Sequence, residues 1–142
     1  MKRGSWLAAI VVAAVGAVFA STLTHRFVVY DDDINVYDNE LVNPPRLESL
    51  SRIWSEPYLK LYIPVTYSVW LGVAAAAQVE PGGGSARAFA GLDPTTFHAL
   101  NVCLHVLNAL LVLFLLRRAL GGDLPATFGA LLFALHPLQA EA

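Results

Sequence analysis

Hydrophobic positions in this chain come in long blocks rather than in short alternation. Trp6 to Leu23 is an uncharged run of 18 residues preceded by Lys2 and Arg3. About 20 apolar residues suffice to cross a hydrocarbon core, so residues 1–23 are expected as a first membrane helix. Val18-Phe19-Ala20 ahead of Ser21 also fits the cut site of a signal peptide. The apolar run continues past that cut, which favours a retained helix. Either way, residue 24 onward is carried across the membrane.

Phe97 to Leu116 is a second run, 20 residues without Asp, Glu, Lys or Arg, and Arg117-Arg118 ends it. Gly121 and Gly122 predict a tight turn, because glycine takes positive φ without penalty. Leu124 to Leu135 is a third run of 12 residues, with Pro125 suited to its first turn. Runs two and three read as a transmembrane helical hairpin over 97–142. Leu61 to Val79 is apolar enough to span, but Pro64 interrupts it and Thr66, Tyr67, Ser68 and Gln78 dilute it.

Charge decides that ambiguous stretch. If 61–79 lies in the interface, Lys2, Arg3, Arg117 and Arg118 all fall on the cytoplasmic side, as the positive-inside rule prefers. Residues 24–96 then form one external loop, periplasmic or lumenal, with nine acids against five bases. The N-terminus is expected to be cytoplasmic and the membrane to be a bacterial inner membrane. Within the loop, "PPRLESLSRIWSEP" sets Leu47, Leu50, Ile53 and Trp54 at helical spacing between Pro44-Pro45 and Pro57. Such a helix is expected along the membrane surface, apolar side down. "VEPGGGSARAFAGLDP", 79–94, reads as a flexible connector without a site signal.

Composition agrees with the blocks. Apolar residues make up 56% and charged residues 14%, against roughly 25% charged in soluble domains. The expected class is an all-α membrane protein with about three transmembrane helices and an external loop carrying an amphipathic interfacial helix. The single cysteine, Cys103, excludes an internal disulfide. "FALHPLQAEA" stops within an apparently structured segment, so the chain reads as the N-terminal piece of a longer protein.

Candidate chemistry gathers in three places. "YDDDINVYDNE" holds Asp31, Asp32 and Asp33 among bulky apolar neighbours. A calcium loop of the EF-hand kind, counted from Asp31, needs Gly at position 6 and Glu at 12 but meets Val36 and Val42. A looser divalent-cation site and a solvated acidic turn stay open. Crowded carboxylates beside an apolar surface tend toward raised pKa values, which suits a general base or a metal ligand. Second, His98, Asn101, His105 and Asn108 share one helix face. Either they bond neighbouring helices together, or the outer end at His98 and Asn101 borders a cavity. Third, His136, Gln139 and Glu141 follow the third run. The topology places the aspartates, His98 and His136 at one membrane interface, the makeup of a site for a lipid-linked substrate. A scaffold whose acidic loop binds a cation or partner protein, and part of a transporter, are rival readings.

"FVVYDDDINVYDNELV", "IPVTYSVWLG", "GLDPTTFHALNVCLHVLNALLVLFLLRRAL" and "GALLFALHPLQAEA" together resemble the N-terminal membrane region of the transmembrane and tetratricopeptide-repeat (TMTC) proteins and their bacterial relatives. Those resemble GT-C-type glycosyltransferases, related in plan to protein O-mannosyltransferases. The resemblance implies the N-terminal part of a GT-C-type fold. It implies transfer of a sugar, mannose in animal members, from a polyprenyl-phosphate carrier to a protein Ser/Thr hydroxyl. The acidic pair in the first external loop would act as catalytic base, here Asp31 and Asp32, with Asp33 an extra acid. Asp33, His98, Asn101, His136 and Glu141 would support the site or the substrate. The leaving phosphate wants a cation, and Arg26, Arg46, Arg52 and Lys60 lie on that side. Implied partners are the lipid bilayer, the lipid-linked sugar, a protein acceptor, and the missing C-terminal helices and repeats. No nucleic acid is implied.

Overall fold

The computed structural model describes residues 5–80 and 88–141. The architecture is all-helical, with no β-strand among the described residues. Helix α1 (Ser5–Phe19) continues as a 3-10 turn, Ala20–Thr24. A π-helical turn follows at Asp33–Tyr37, then α2 (Ser49–Ser55), α3 (Pro64–Ala76), α4 (Pro94–Leu120) and α5 (Asp123–Leu135). A 3-10 turn, Pro137–Glu141, closes the described chain. Two stretches, Trp6–Thr24 and Pro94–Leu120, are long and apolar enough to cross a membrane. Helices α3 and α5 have 13 residues each, roughly 20 Å at 1.5 Å per residue, short of a hydrocarbon core of about 30 Å. Lys2, Arg3, Arg87 and the glycine run 82–84 lie outside the described residues.

The chain divides into two compact units, Met1–Leu23 with His98–Ala142, and Thr24–Phe97. In the first, α1 packs on α5. Leu7, Val11 and Val15 recur every four residues on α1, and Ala126, Ala130 and Ala134 do the same on α5, all of them buried. Residues four apart share a helix face, so each helix buries one narrow ridge. Alanine has no side chain beyond Cβ, so the alanine ridge lets backbones approach closely. Gly129 shows the same closeness between α5 and α4, since a Cβ there would stand 2.7 Å from Leu116 Cδ1. Large side chains point outward instead, among them Trp6, Phe114, Phe128 and Leu132. The α4–α5 turn uses Gly121 at φ 64° and is braced by an ion pair from Arg117 Nε to Asp123 Oδ1 at 3.0 Å. His136 ends α5 in extended geometry because Pro137 disfavours a helical residue before it.

The second unit is built in the opposite sense. Its core holds Val36, Tyr37, Leu41, Val42, Ile53, Tyr67, Leu71, Leu92 and Phe97, with α2 packed on α3. Helix α3 starts with Pro64 in its first turn, a position whose N–H would be unpaired anyway. Glu56 is extended ahead of Pro57, and α2 ends there. The expected apolar face of α2 divides. Ile53 is buried with Ser49, whereas Leu47, Leu50 and Trp54 stay exposed. Trp54 Nε1–H donates to Ser68 Oγ at 3.1 Å, which holds the indole along the edge of α3.

The second half of the expected connector is ordered. Val79 N–H donates to the Gly91 carbonyl and Asp93 N–H to the Ala77 carbonyl, each at 2.9 Å. Leu92 is fully buried between these bonds. Asp93 then caps α4, its carboxylate accepting the Thr95 N–H at 3.0 Å.

Candidate functional site

The acidic motif folds as a turn whose side chains bond to its own backbone. Asp32 Oδ2 accepts the Val28 N–H at 2.7 Å, which closes the loop ahead of the three acids. Asp33 Oδ1 accepts the Ile34 N–H at 2.8 Å. The Asp33 carbonyl accepts the Asp38 N–H at 2.9 Å, the five-residue closure of a π-turn. The Asp31 carbonyl accepts the Asn35 N–H at 3.0 Å. Asp31 is the acid left to solvent. It is exposed, Asp32 and Asp33 are half-buried, and the Asp31 carboxylate makes no hydrogen bond among the described residues.

Three asparagines hold this turn against the unit's core, and reading the sequence for acids misses them. Asn39 is fully buried. It donates to the Asn35 carbonyl at 3.1 Å and accepts the Leu41 N–H at 2.9 Å. Asn35 Oδ1 accepts the hydroxyl of buried Tyr67 at 3.3 Å. Asn43 donates to the carbonyls of Tyr37 and Ala90, both at 3.0 Å. The only signal in the sequence is spacing, Asn35, Asn39 and Asn43 at four-residue intervals through a segment that reads as loop. Buried amides must be satisfied to be tolerated, and Asn39, through the Asn35 carbonyl, also orders the acidic turn.

The electrostatic consequence appears at Tyr37. Burial pushes its phenol above the ordinary value of 10.0, and the Asp33, Asp38 and Asp32 charges push the same way. Tyr58 is raised too, first by burial and then by Glu40 and Asp38. The apolar neighbours of the acids do not enclose them. Val28, Val29, Tyr30 and Ile34 are themselves exposed, from 45% to 78%.

Two of the three carboxylates already accept backbone N–H groups. Among the described residues no three His, Cys, Asp or Glu side chains gather to hold an ion. Of the bases expected near a leaving phosphate, Arg52 is paired with Glu40 at 2.9 Å, and Arg46 and Lys60 are exposed.

His98, Asn101 and His136 belong to the other unit. His98 is half-buried on α4, and Asn101 is exposed. His105 Nε2 lies 2.9 Å from the Ala134 carbonyl, which can only accept, so Nε2 carries the proton. The Phe19 ring meets His105 edge-on at 4.8 Å. His105 thus ties α4 to the end of α5. His136 is exposed, and its Nδ1 accepts the Leu138 N–H at 3.2 Å. The side chain of Glu141 lies outside the described residues. Comparison of the chain with protein families, with curated proteins and with solved structures finds no match.

Proposed function

We propose that this chain is the membrane-embedded module of a GT-C-type glycosyltransferase, and that Asp31 is its base. The substrate is a sugar on a polyprenyl-phosphate carrier, and the acceptor is a protein Ser/Thr hydroxyl. Asp31 takes the hydroxyl proton, the hydroxyl oxygen bonds to the anomeric carbon, and the bond from that carbon to the carrier phosphate breaks. The lipid phosphate departs with the electron pair. Asp32 positions the turn through its bond to Val28.

One observation carries this reading. A solvent-facing carboxylate sits on a backbone-pinned turn whose chain neighbours Val28, Val29, Tyr30 and Ile34 are exposed. Exposed apolar groups next to a carboxylate suit the boundary of a bilayer, where a lipid-linked sugar presents its head group. Chain order agrees, because the segment that bears the turn lies between two stretches of membrane-crossing length. In the further reading, α1 and α4 span a bacterial inner membrane with the acidic loop on its periplasmic face, α5 dips into the same membrane, and His98, Asn101, His136 and Glu141 support the substrate.

The test is transfer of labelled sugar from a polyprenyl-phosphate donor to a Ser/Thr peptide by the intact protein in vesicles. Asp31→Asn should lower the rate by about 100-fold or more, the usual share of a positioned base. Asp32→Asn should lower it less and should loosen the turn. Both variants should remain resistant to alkaline extraction from the membrane. Full transfer by Asp31→Asn would remove it from the mechanism. Altered cation or partner binding without any change in glycan would favour the scaffold reading.

A further inference from the structure

A carboxylate that faces solvent owes its aim to the backbone beneath it. The Asp31 carboxylate makes no hydrogen bond among the described residues, so no side-chain partner fixes its direction. Two bonds fix the backbone instead. Asp32 Oδ2 accepts the Val28 N–H on one side, and the Asp31 carbonyl accepts the Asn35 N–H on the other. The first bond stays at the surface of the turn. The second leads inward, because Asn35 is half-buried and the next residues, Val36 and Tyr37, belong to the core.

Asn35 is the junction. Its N–H goes to Asp31, its carbonyl accepts from Asn39, and its Oδ1 accepts the Tyr67 hydroxyl at 3.3 Å. The first two partners lie in the acidic segment and move with it. Tyr67 does not, since it stands 32 residues further along the chain, on α3. It is 2% exposed, and its ring meets Tyr58 edge-on at 5.8 Å and Trp70 at 5.6 Å. A ring walled in this way keeps one rotamer, so its hydroxyl points in one direction. Burial, and after it Tyr58, hold the phenol above its ordinary value of 10.0, so the hydroxyl keeps its proton well past neutral pH. A buried hydroxyl needs a partner, and Asn35 Oδ1 is that partner.

We propose that Tyr67, acting through the Asn35 side chain, is a positioning residue for the Asp31 carboxylate. The proposal rests on the reading of Asp31 as the base. Tyr67 touches no reacting atom. It ties the backbone of the acidic turn to α3, so that the carboxylate meets the acceptor hydroxyl in one place rather than several. A base that wanders costs turnover rather than binding, because other groups hold the donor and the acceptor. The Tyr67 hydroxyl reaches the turn only through Asn35 Oδ1, so removing either end of that bond does the same harm.

The experiment measures sugar transfer by the intact protein in vesicles for Tyr67→Phe, Asn35→Ala and the two combined. Phenylalanine keeps the ring against Tyr58 and Trp70. Alanine keeps the backbone N–H to Asp31 and the carbonyl to Asn39. Each single variant should lower kcat roughly five- to tenfold with KM unchanged, the rate equivalent of one net hydrogen bond. The double variant should be no slower than either single one, since the two ends of one bond are not additive. Amide hydrogen exchange is read in parallel. The Asn35 N–H should exchange faster in every variant, and the Leu41 N–H, held by Asn39, should not change. Full transfer by the single variants beside an inactive Asp31→Asn, additive losses in the double variant, a raised KM at constant kcat, or unchanged exchange at Asn35 would each overturn this proposal alone. Faster exchange at Leu41 as well would make Tyr67 a general prop of the core and overturn it too. Full transfer by Asp31→Asn, or none by the unaltered chain, would overturn the reading of the base and this proposal together.

Discussion

The two units of this chain solve the packing problem with opposite materials. The unit of α1, α5 and most of α4 buries alanine and valine and turns Trp6, Phe128 and Leu132 outward. The unit of residues 24–97 buries Ile53, Tyr67 and Leu92 around an amide, Asn39. In water, the second pattern gains from removing large apolar groups from solvent, while the first would forfeit that gain. In lipid, the first loses nothing, because helices there associate through close approach of small residues and through polar links such as His105 to Ala134. The contrast is one of buried material, since both units leave large apolar side chains exposed.

That contrast can be broken most sharply at Asn39. Asn39→Ala leaves the buried Leu41 N–H and the half-buried Asn35 carbonyl without these partners, and should cost about 2–3 kcal/mol. Urea unfolding in detergent, followed through Trp54 and Trp70, measures it. A loss near zero would mean that the asparagine network is incidental.

Next come paired changes on α5. Ala130→Leu crowds the ridge facing α1 and should cost about 1–3 kcal/mol. Leu132→Ala, on the exposed side, should stay within about 0.5 kcal/mol. Thermal unfolding in lipid nanodiscs compares them, and a reversed order would mean that the outward face is the packed one.

A smaller effect, of opposite sign, is expected in the other unit. Leu59 and Lys60 hold φ at 46° and 72° between the paired Tyr58 and Leu61. Such a turn favours glycine. Lys60→Gly should stabilise by about 0.5–1 kcal/mol, read as a higher urea midpoint.

The last expectation concerns alkali. The Tyr37 and Tyr58 phenols are raised in the fold, so the folded unit holds protons that the unfolded chain releases. Their stabilising contribution is complete below 10.0, the unfolded value, and is lost as pH rises through the folded values. Tyr37→Phe should flatten that decline in a pH series of urea midpoints. The same decline in Tyr37→Phe as in the unaltered chain would remove Tyr37 as its source.

Much of the fold is legible in the linear pattern. The runs 6–23 and 97–116 announce α1 and α4, because an apolar block of that length leaves few alternatives to a helix. Gly121-Gly122 announces the turn before α5, and Pro57 the end of α2. The face of α2 is not legible. Leu47, Leu50, Ile53 and Trp54 look equivalent at helical spacing, yet only Ile53 is buried. A seven-residue helix touches α3 along a single line, and Ser68 draws the indole of Trp54 to the edge. The candidate site is legible in part. The acids stand out by charge, but nothing local distinguishes Asp31 from Asp32.

Hydrophobic length and charge placement depend only on which residues follow one another, and so sequence alone determined the helical class and the two helices of membrane-crossing length. Which carboxylate is free, which amides order it, and which sides of α4 and α5 are buried depend on partners distant along the chain. Asn43 reaches the Ala90 carbonyl across 47 residues, and His105 reaches the Ala134 carbonyl across 29. Only the tertiary structure could decide these, because a hydrogen bond or a buried face needs a second surface to exist.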